Sequence, residues 1–378
     1  MPQIPQELLI NKQEHLGTIR QAPLTESHIW SSIAPWMEVA HDDVIFDIAT
    51  PDVYGMVPAR AEDAESELAV KDDFFGQGSA RILDWAIKDF YSASDINGYR
   101  DNVYTGDILR AGGNAIPTSF ETNTQAFQRQ LIRDTMRRRR SIENRIEYMT
   151  ITQALVEGQI AYNDGKVKFT VPFGRPADQQ DMAVQGSAFN VTDGSSDPIA
   201  EFTFVQDFMR DRHDIEMRAV LMSSKALRTL SNSSKFYART GLGVTPAANT
   251  DIGYTIPGFN RGGSAQSIVE ADTGLTIVVY DSAYRTRPIG DQNFGSTRFL
   301  PEDTAVFLPD VSQLGEILGT DIGFGRVLTS PHVEGNWQPG FYGYEMSDTD
   351  PWGYAIGTGL KFMPVFPNLE YTATLKLW

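Results

Sequence analysis

The longest uninterrupted amphipathic pattern in the sequence runs over residues 122–158. Thr122 with Gln125 three positions later forms a capping box, and Gly158 is a typical residue just beyond a helix C-terminus. No proline or glycine lies between them, which allows a helix of about 50 Å at 1.5 Å per residue. Its apolar residues form one narrow stripe at helical spacing: Phe127, Leu131, Ile142, Ile146, Met149 and Val156. The pattern predicts a long helix that lies along a sheet.

The middle of this predicted helix contains four consecutive arginines: Arg137, Arg138, Arg139 and Arg140. Four successive helical residues point in four directions, and Arg138 falls within the apolar stripe. One interpretation is a solvated run, supported by i,i+4 pairs with Asp134 and Glu143. We favour a second, in which some of these arginines contact acidic groups on neighbouring chains, because they cannot form one flat patch. The candidate acidic partners lie in one segment: Glu62, Asp63, Glu65, Glu67, Asp72 and Asp73.

Outside the long helix, the hydrophobic pattern predicts shorter strands and helices. Val44, Phe46 and Ile48 alternate with polar residues, as in a half-buried strand. Residues 160–170 read as a hairpin with an Asn-Asp-Gly turn, and Asp197 before Pro198 predicts the start of a helix. Further strands are predicted at residues 219–222, 274–285, 304–308 and 369–377. This mixture indicates an α+β fold.

Two stretches contain too little apolar surface to predict a packed layer. Residues 1–33 are polar with little periodicity, and residues 51–95 read as a long two-stranded arm, which is marginal alone in water. Ordering a backbone costs roughly 1–2 kcal/mol per residue. We therefore expect both stretches to be mobile in an isolated subunit and ordered by contact with neighbours. Residues 175–196, rich in Pro, Gly, Gln and Ser, predict a domain boundary.

The amino-acid composition excludes several classes of protein. The 378 residues could hold two domains, and 41% hydrophobic residues support a sizeable core. The chain has no cysteine, which excludes a disulfide scaffold, an iron–sulfur cluster and a thiol nucleophile. A net charge of −17 argues against a surface that binds nucleic acid throughout. Neither a signal peptide nor a membrane-spanning stretch is expected.

Three local patterns resemble a metal site, a catalytic nucleophile and a dinucleotide-binding loop, but each is better explained by its role in the local structure. His41, Asp42 and Asp43 are adjacent in a predicted strand, so they point to alternate faces and do not suit a metal ion. Ser223 before Lys225 reads as a helix cap rather than as a nucleophile with a base. The glycines at 241–243 lack the context of a dinucleotide-binding loop. No catalytic, cofactor-binding or metal-binding residue is assigned, and no cofactor is expected.

The order of the pieces resembles a known family. Residues 145–174, RIEYMTITQALVEGQIAYNDGKVKFTVPFG, read as an Arg-x-Glu helix end, a glycine stop, a strand, a turn and a strand ending in Phe-Gly. Residues 274–310 add GLTIVVYDSAYR and FLPEDTAVFLPD in the same order. Together these pieces resemble the major capsid proteins of tailed bacteriophages, specifically the lambda-like capsid protein E family, which has the HK97-like fold. The resemblance covers roughly residues 34–378.

This resemblance implies a division of the chain into five parts. An N-arm would comprise residues 1–45 and an E-loop residues 46–100, both reaching over adjacent subunits. A peripheral (P) domain, residues 101–187, would contain the long helix at 122–158 as its spine, together with an antiparallel sheet. An axial (A) domain would span residues 188–345, and residues 346–378 would return to the P domain.

The function implied is that of a major capsid protein that assembles through pentamers and hexamers into an icosahedral head around double-stranded DNA. The expected partners are copies of itself, scaffolding and portal proteins, a decoration protein and the packaged DNA, but no membrane. Its location would be the virion, after assembly in the bacterial cytoplasm. The alternatives are a carboxylate-dependent hydrolase, against which stand five scattered histidines and no recognisable nucleophile, and a monomeric binding module, in which the long marginal segments would have no reason to order. A further alternative for the arginine run is contact with the packaged genome.

Overall fold

The computed structural model describes residues 12–49, 75–92, 123–164, 167–183, 197–231, 263–286, 295–310, 324–349 and 352–378. Two five-stranded sheets, one long helix and three two-stranded ribbons account for much of this part of the chain. One large cluster of buried apolar residues connects both sheets with the helices packed on them. The two sheets therefore share a core.

The helices are short except for one. They are α1 (Lys12–Gln21), α2 (Trp30–Ile33), α3 (Asn123–Glu147), α4 (Pro198–His213), α5 (Ser224–Ser231) and α6 (Gly263–Thr273). Helix α3 continues directly into a π-helical segment, Tyr148–Val156. Short 3-10 turns occur at Ala177–Gln179, Val333–Gly335 and Leu369–Tyr371.

The first sheet is built around one long strand. Its strands are β1 (Trp36–Glu38), β4 (Leu83–Ser92), β13 (Arg326–Thr329), β14 (Tyr342–Thr349) and β15 (Trp352–Val365). Strand β15 pairs antiparallel with β4 along one edge and with β13 and β14 along the other. Strand β1 adds in parallel to β13.

The second sheet has the order β7-β16-β12-β8-β9. Its strands are β7 (Met182–Ala183), β8 (Met217–Met222), β9 (Thr276–Val279), β12 (Thr304–Pro309) and β16 (Ala373–Lys376). The ribbons pair β2 (Asp43–Ala49) with β3 (Phe75–Arg81), β5 (Gln159–Asn163) with β6 (Lys168–Pro172), and β10 (Ala283–Thr286) with β11 (Gly295–Arg298).

The long helix predicted at residues 122–158 is present without a break from Asn123 to Val156, α-helical and then π-helical. Thr122 lies outside the described residues. The apolar stripe is buried as predicted: Phe127 and Leu131 pack on Tyr354 and Ile356 of β15, whereas Ile142, Ile146 and Met149 enter the large core. Val156, at the end of the stripe, is only half-buried. A helix with one narrow apolar face is thus seated along a sheet, as expected.

Two predicted helix starts are confirmed by their capping hydrogen bonds. Asp197 accepts from the backbone N–H groups of Ile199 and Ala200 at the start of α4. The Ser223 hydroxyl accepts from the N–H of Ala226 at the start of α5, which is the capping role the sequence indicated. The predicted strands at 219–222 and 304–308 correspond to β8 and β12, and the predicted hairpin to β5 and β6.

The N-terminal segment packs more extensively than its sequence pattern predicted. Within residues 12–33, helix α1 lies on β14 and α3, and it buries Leu16 and Ile19. Trp30 of α2 is 1% exposed. The prediction of little periodicity missed the i,i+3 spacing of Leu16 and Ile19, and it missed how much surface one tryptophan covers. Residues 1–11 lie outside the described part, and the mobility of 1–33 in an isolated subunit stays a prediction.

The predicted arm at 51–95 and the predicted E-loop at 46–100 both include a strand that the structure places in the first sheet. Strands β2 and β3 do form a two-stranded ribbon. Strand β4, however, belongs to the first sheet and contacts α3, because its alternate residues Asp89 and Tyr91 face that helix. The residues between β2 and β3 lie outside the described part.

The predicted divisions at 188–345 and 346–378 also differ from the strand pairing. Strand β13, from the first interval, lies in the first sheet, and β16, from the second interval, lies between β7 and β12 in the second sheet. Each interval therefore contributes one strand to the sheet that was expected to belong to the other. Two predicted strands are shorter than expected: residues 274–285 form β9 and β10 with a break between them, and residues 369–377 form a 3-10 turn before β16.

Candidate functional site

The buried side of α3 carries six polar residues as well as its apolar stripe: Asp134, Thr135, Arg138, Arg139, Glu143 and Glu147. Each occupies a position that packs against another element of the same chain. Burying such groups is costly unless their hydrogen bonds and charges are satisfied. Their partners therefore show what this helix holds in place.

Arg138 is fixed between α3 and the first sheet and is 1% exposed. Its guanidinium donates to the Asp89 carboxylate at 2.6 Å, to the Thr358 hydroxyl at 3.3 Å and to the Thr135 hydroxyl at 2.8 Å. All three of its nitrogens thus have an acceptor inside the chain. The sequence-based proposal that Arg138 faces a neighbouring chain does not agree with this geometry, because its acceptors are supplied by β4, β15 and its own helix.

Arg139 is also used within the chain. It donates to Glu143 at 2.9 Å, which is the i,i+4 pair expected from the sequence, and to the carbonyl of Ile19 at the end of α1. Its guanidinium lies 4.9 Å from the centre of the Phe341 ring. Glu143 in turn accepts from the Thr25 hydroxyl at 2.6 Å. Arg139 therefore holds the N-terminal segment on α3 and is not available to a neighbour.

Glu147, the last residue of α3 before its π-helical continuation, forms a second attachment of the N-terminal segment. Its carboxylate accepts from the backbone N–H groups of Ile29 at 3.1 Å and Trp30 at 3.0 Å, and from the Tyr280 hydroxyl. Burial raises the pKa of Glu147, and the three donors offset part of that rise. Burial and the adjacent Glu147 carboxylate also raise the pKa of Tyr280. One carboxylate thus joins α2, α3 and the end of β9.

The other two arginines of the run remain accessible. The Arg137 side chain is 68% exposed, and its terminal nitrogen lies 3.5 Å from Asp89 and 3.6 Å from Asp134. Arg140 is exposed. The expected i,i+4 pair of Asp134 with Arg138 is replaced, because Asp134 accepts instead from Tyr91 at 2.7 Å. The six acidic candidates, Glu62, Asp63, Glu65, Glu67, Asp72 and Asp73, lie outside the described residues.

Arg145, also on α3, has an environment that the sequence pattern did not predict. The guanidinium carbon of Arg145 lies 4.7 Å from the Trp85 ring centre, 4.8 Å from that of Tyr162 and 5.5 Å from that of Tyr148. These distances are typical of cation–π contacts. Only Tyr148, at i+3 on the helix, could have been anticipated, because β4 and β5 supply the other two rings.

The described residues contain no group of three or more histidine, aspartate or glutamate side chains that could hold a metal ion. His41, Asp42 and Asp43 do not converge: Asp42 instead accepts from Lys361 at 2.9 Å, and Asp43 lies 3.8 Å from Arg81. Among the helices described, none has the length and apolar character needed to span a membrane.

Comparisons with known proteins place these features in a family context. The model of the family described as phage major capsid protein E matches residues 26–375, an interval that contains the long helix and both sheets except for the last residue of β16. No curated protein sequence matches the chain.

The chain is also similar to solved structures. A candidate capsid protein of a prophage of E. coli CFT073 superposes with a TM-score of 0.59 at 13% sequence identity, covering 98% of this chain and 99% of that one. A phage-related protein from Bordetella bronchiseptica RB50 has a TM-score of 0.49 at 14% identity, covering 96% of this chain and 95% of that one.

Proposed function

This chain belongs to the phage major capsid protein E family and is a capsid-forming structural protein with the HK97-like fold, and we propose that it builds the icosahedral head of a tailed bacteriophage. In this proposal, copies of the chain associate as pentamers and hexamers and enclose double-stranded DNA. The observation that carries it is the family match from residue 26 to residue 375, because it takes in every element of the two sheets except the final residue of β16. A structural family does not favour the hydrolase or monomeric binding module considered from the sequence.

We assign a role in the capsid to each of the five parts inferred from the sequence, with their bounds adjusted to the observed strand pairing. The N-arm and the ribbon of β2 and β3 reach towards adjacent subunits, and α3 with the first sheet forms the P domain. The second sheet with α4, α5 and α6 forms most of the A domain around the five-fold and six-fold axes. Scaffolding, portal and decoration proteins and non-specifically bound DNA are the further proposed partners, with assembly in the bacterial cytoplasm before the protein resides in the virion.

The proposed inter-subunit role of the arginine run now rests on Arg137 and Arg140. Both side chains are exposed, whereas Arg138 and Arg139 are occupied within the chain. Their proposed partners are the acidic residues between 62 and 73 on a neighbouring copy. Desolvated charge pairs at an interface couple more strongly than exposed ones, by more than about 1 kcal/mol.

Electron microscopy of the expressed chain tests the capsid proposal. Shells, tubes or capsomers are expected, and a chain that stays monomeric at high concentration and in the presence of its scaffolding partner would contradict it. The double variant Arg137→Gln, Arg140→Gln tests the contact, because arginine and glutamine have similar helix propensity. We expect a folded subunit that assembles poorly.

The rival for these two arginines is phosphate of the packaged genome. Normal shells from the double variant, with DNA retention that has become more salt-sensitive, would favour that rival. The matched control is Arg129→Gln with Arg133→Gln, which removes the same charge one to two turns earlier on the same helix.

A further inference from the structure

A polar cleft of about 360 Å³ opens beside α3, where β10 passes the helix. It is lined by Ser141, Asn144, Arg145, Tyr148, Tyr284 and Arg285. The described lining thus contains two arginines, two phenols, a hydroxyl and an amide, and none of these residues is a carboxylate. Such a lining favours an anion, because a hydroxyl, an amide and guanidinium groups all donate hydrogen bonds to one.

Arg145 is the half-buried cation of this cleft. Its guanidinium is held by Trp85, Tyr148 and Tyr162, and burial lowers its pKa although an arginine keeps its charge. Its Nε atom is buried and has no hydrogen-bond partner among the described residues. Aromatic rings compensate a cation only in part, and no carboxylate of the described residues pairs with this guanidinium as Asp89 pairs with Arg138.

Arg285 adds a second positive charge at the exposed rim of the cleft. Within the described part of the chain, no carboxylate lies within ion-pair distance of Arg145 or Arg285, in contrast to Arg137 and Arg138. Burial and, after it, the charge of Glu157 raise the pKa of Tyr148, but Glu157 does not line the cleft. Among the residues that the structure describes, the cleft is therefore a concave site lined by two cations and by no acid.

We propose that this cleft receives a carboxylate side chain from a neighbouring copy of the same chain. The inference rests on the proposed assembly and names a further contact within it. Two observations favour this occupant. The chain carries 49 acidic against 32 basic residues, so copies of it supply carboxylates in excess. The cleft is also small and walled by aromatic rings, which suits one inserted side chain better than the backbone of a DNA duplex.

Carbodiimide cross-linking of assembled particles tests the inference. In the variant Arg285→Lys, the new amine keeps the positive charge at the rim and can form an amide with a carboxylate in contact, while the carbodiimide takes up the water that is lost. Shells are assembled from a mixture of ¹⁴N-labelled and ¹⁵N-labelled subunits, treated and digested. We expect peptides that join residue 285 of one label to an aspartate or glutamate of the other label.

A charge reversal gives an independent measurement. Arg285→Glu places a carboxylate at the rim of the cleft, and we expect the concentration needed for assembly to rise about tenfold, which corresponds to about 1.4 kcal/mol. The matched control is Arg228→Glu, an equally exposed arginine on α5, for which a smaller change is expected. Circular dichroism of both variants checks that the isolated subunits fold.

Three results would overturn the inference. The first is shells of Arg285→Lys that yield only same-label peptides at residue 285, or none. The second is normal assembly of Arg285→Glu with loss of packaged DNA at lower salt, which would assign the cleft to phosphate. The third is failure of the unsubstituted chain to assemble at all, which would remove the proposed function itself and is recognised before any cross-linking.

Discussion

Two guanidinium groups on the same helix, Arg138 and Arg145, are buried in opposite ways. Arg138 lies against the first sheet with a carboxylate and two hydroxyls from its own chain. Arg145, seven residues later, lies among three aromatic rings, and no carboxylate of the described residues pairs with it. The helix and the residue type are the same, and only the surroundings differ.

The difference separates two uses of charge in a protein that has to fold first and assemble afterwards. A buried cation that is fully paired within the subunit contributes to the fold, and breaking the pair is expected to affect the isolated chain. A cation that is covered by rings but not paired with an anion can still gain a carboxylate from a partner subunit. Removing it is expected to affect the isolated chain less and the assembly more.

The largest expected effect comes from breaking the Arg138 pair. Asp89→Ala leaves a guanidinium that is 1% exposed without its carboxylate, and removing one partner of a buried pair costs about 3–5 kcal/mol. Because the Asp89 side chain is 26% exposed, we expect the lower end, about 3 kcal/mol of unfolding free energy. Urea unfolding of the isolated subunit measures this loss.

The control for this prediction is the double variant Asp89→Ala, Arg138→Met. Replacing the cation as well removes the unpaired buried charge, so the double variant should be more stable than Asp89→Ala alone. If both are equally unstable, the cost arises from lost packing and not from charge.

The second effect concerns Glu147, a buried carboxylate that is paired by hydrogen bonds instead of by a cation. Glu147→Ala leaves the N–H groups of Ile29 and Trp30 without an acceptor, at about 1–3 kcal/mol. The N-terminal segment should become more accessible, which limited proteolysis near residues 25–34 measures. Tyr280→Phe removes only one of the three donors and should show a smaller effect, and equal cleavage of both variants would contradict this view of the attachment.

The third effect sharpens the comparison directly. Arg145→Gln removes cation–π contacts of about 0.5–1 kcal/mol each, and it also removes a buried group whose Nε has no described partner. The three contacts together contribute about 1.5–3 kcal/mol, and removing the unsatisfied Nε offsets about 1–3 kcal/mol of that loss. We therefore expect a net loss of about 1 kcal/mol or less in the isolated subunit, well below that of Asp89→Ala. Urea unfolding of the isolated subunit measures this loss as well. A loss of about 3 kcal/mol or more, the cost of breaking a buried ion pair, would show that Arg145 is as essential to the fold as Arg138.

The smallest effect is a local pH dependence of α1. His15 is buried, lies 3.3 Å from the Gly357 carbonyl and 3.5 Å from the Thr135 hydroxyl, and faces Arg138. Burial is the main cause that lowers the pKa of His15 below its usual 6.5, and the Arg138 charge adds to it, while the Gly357 carbonyl acts in the opposite direction.

A lowered folded-state pKa means that the unfolded segment binds the proton first. The stabilising contribution of neutral His15 is therefore complete above pH 6.5 and is lost as the pH falls below that value. The protection factors of residues 12–21, which correct hydrogen exchange for its slower intrinsic rate in acid, should fall on acidification. In His15→Gln this fall should disappear, and its persistence would assign the pH dependence to another group.

The long helix was predictable because its evidence is local. A capping residue, the absence of proline and glycine, and one narrow apolar stripe lie within a single segment, and the structure confirms burial of Ile142 and Ile146. The role of Arg138 was not predictable in the same way. Its position in the apolar stripe indicated burial, but its partner Asp89 is supplied by a strand 49 residues earlier, whose pairing register with β15 no local pattern specifies.

Strand β15 shows a second limit. Its glycines weaken a strand prediction, because glycine is unfavourable in strand interiors. In the structure they are required by their neighbours: a Cβ at Gly357 would lie 2.1 Å from the Tyr344 ring, and one at Gly359 would lie 2.3 Å from the Tyr342 ring. The two tyrosine rings of β14 lie over β15 at positions where only glycine leaves room. The need for glycine therefore arises from the pairing of the two strands and cannot be seen in either strand alone. The Arg145 cleft was missed for the same reason.

The order of the strands has a consequence for synthesis on the ribosome. Strand β15 is the centre of the first sheet, and β16 lies between β7 and β12 in the second, yet both belong to the last 27 residues that the structure describes, 352–378. A growing chain therefore cannot complete either sheet until those residues have emerged, and contacts over such long sequence separations form slowly. A chain that stops before β15 lacks the strand on which α3 rests. Translation thus delays completion of both sheets until residues 352–378 have been made, so a subunit truncated before β15 presents neither sheet complete.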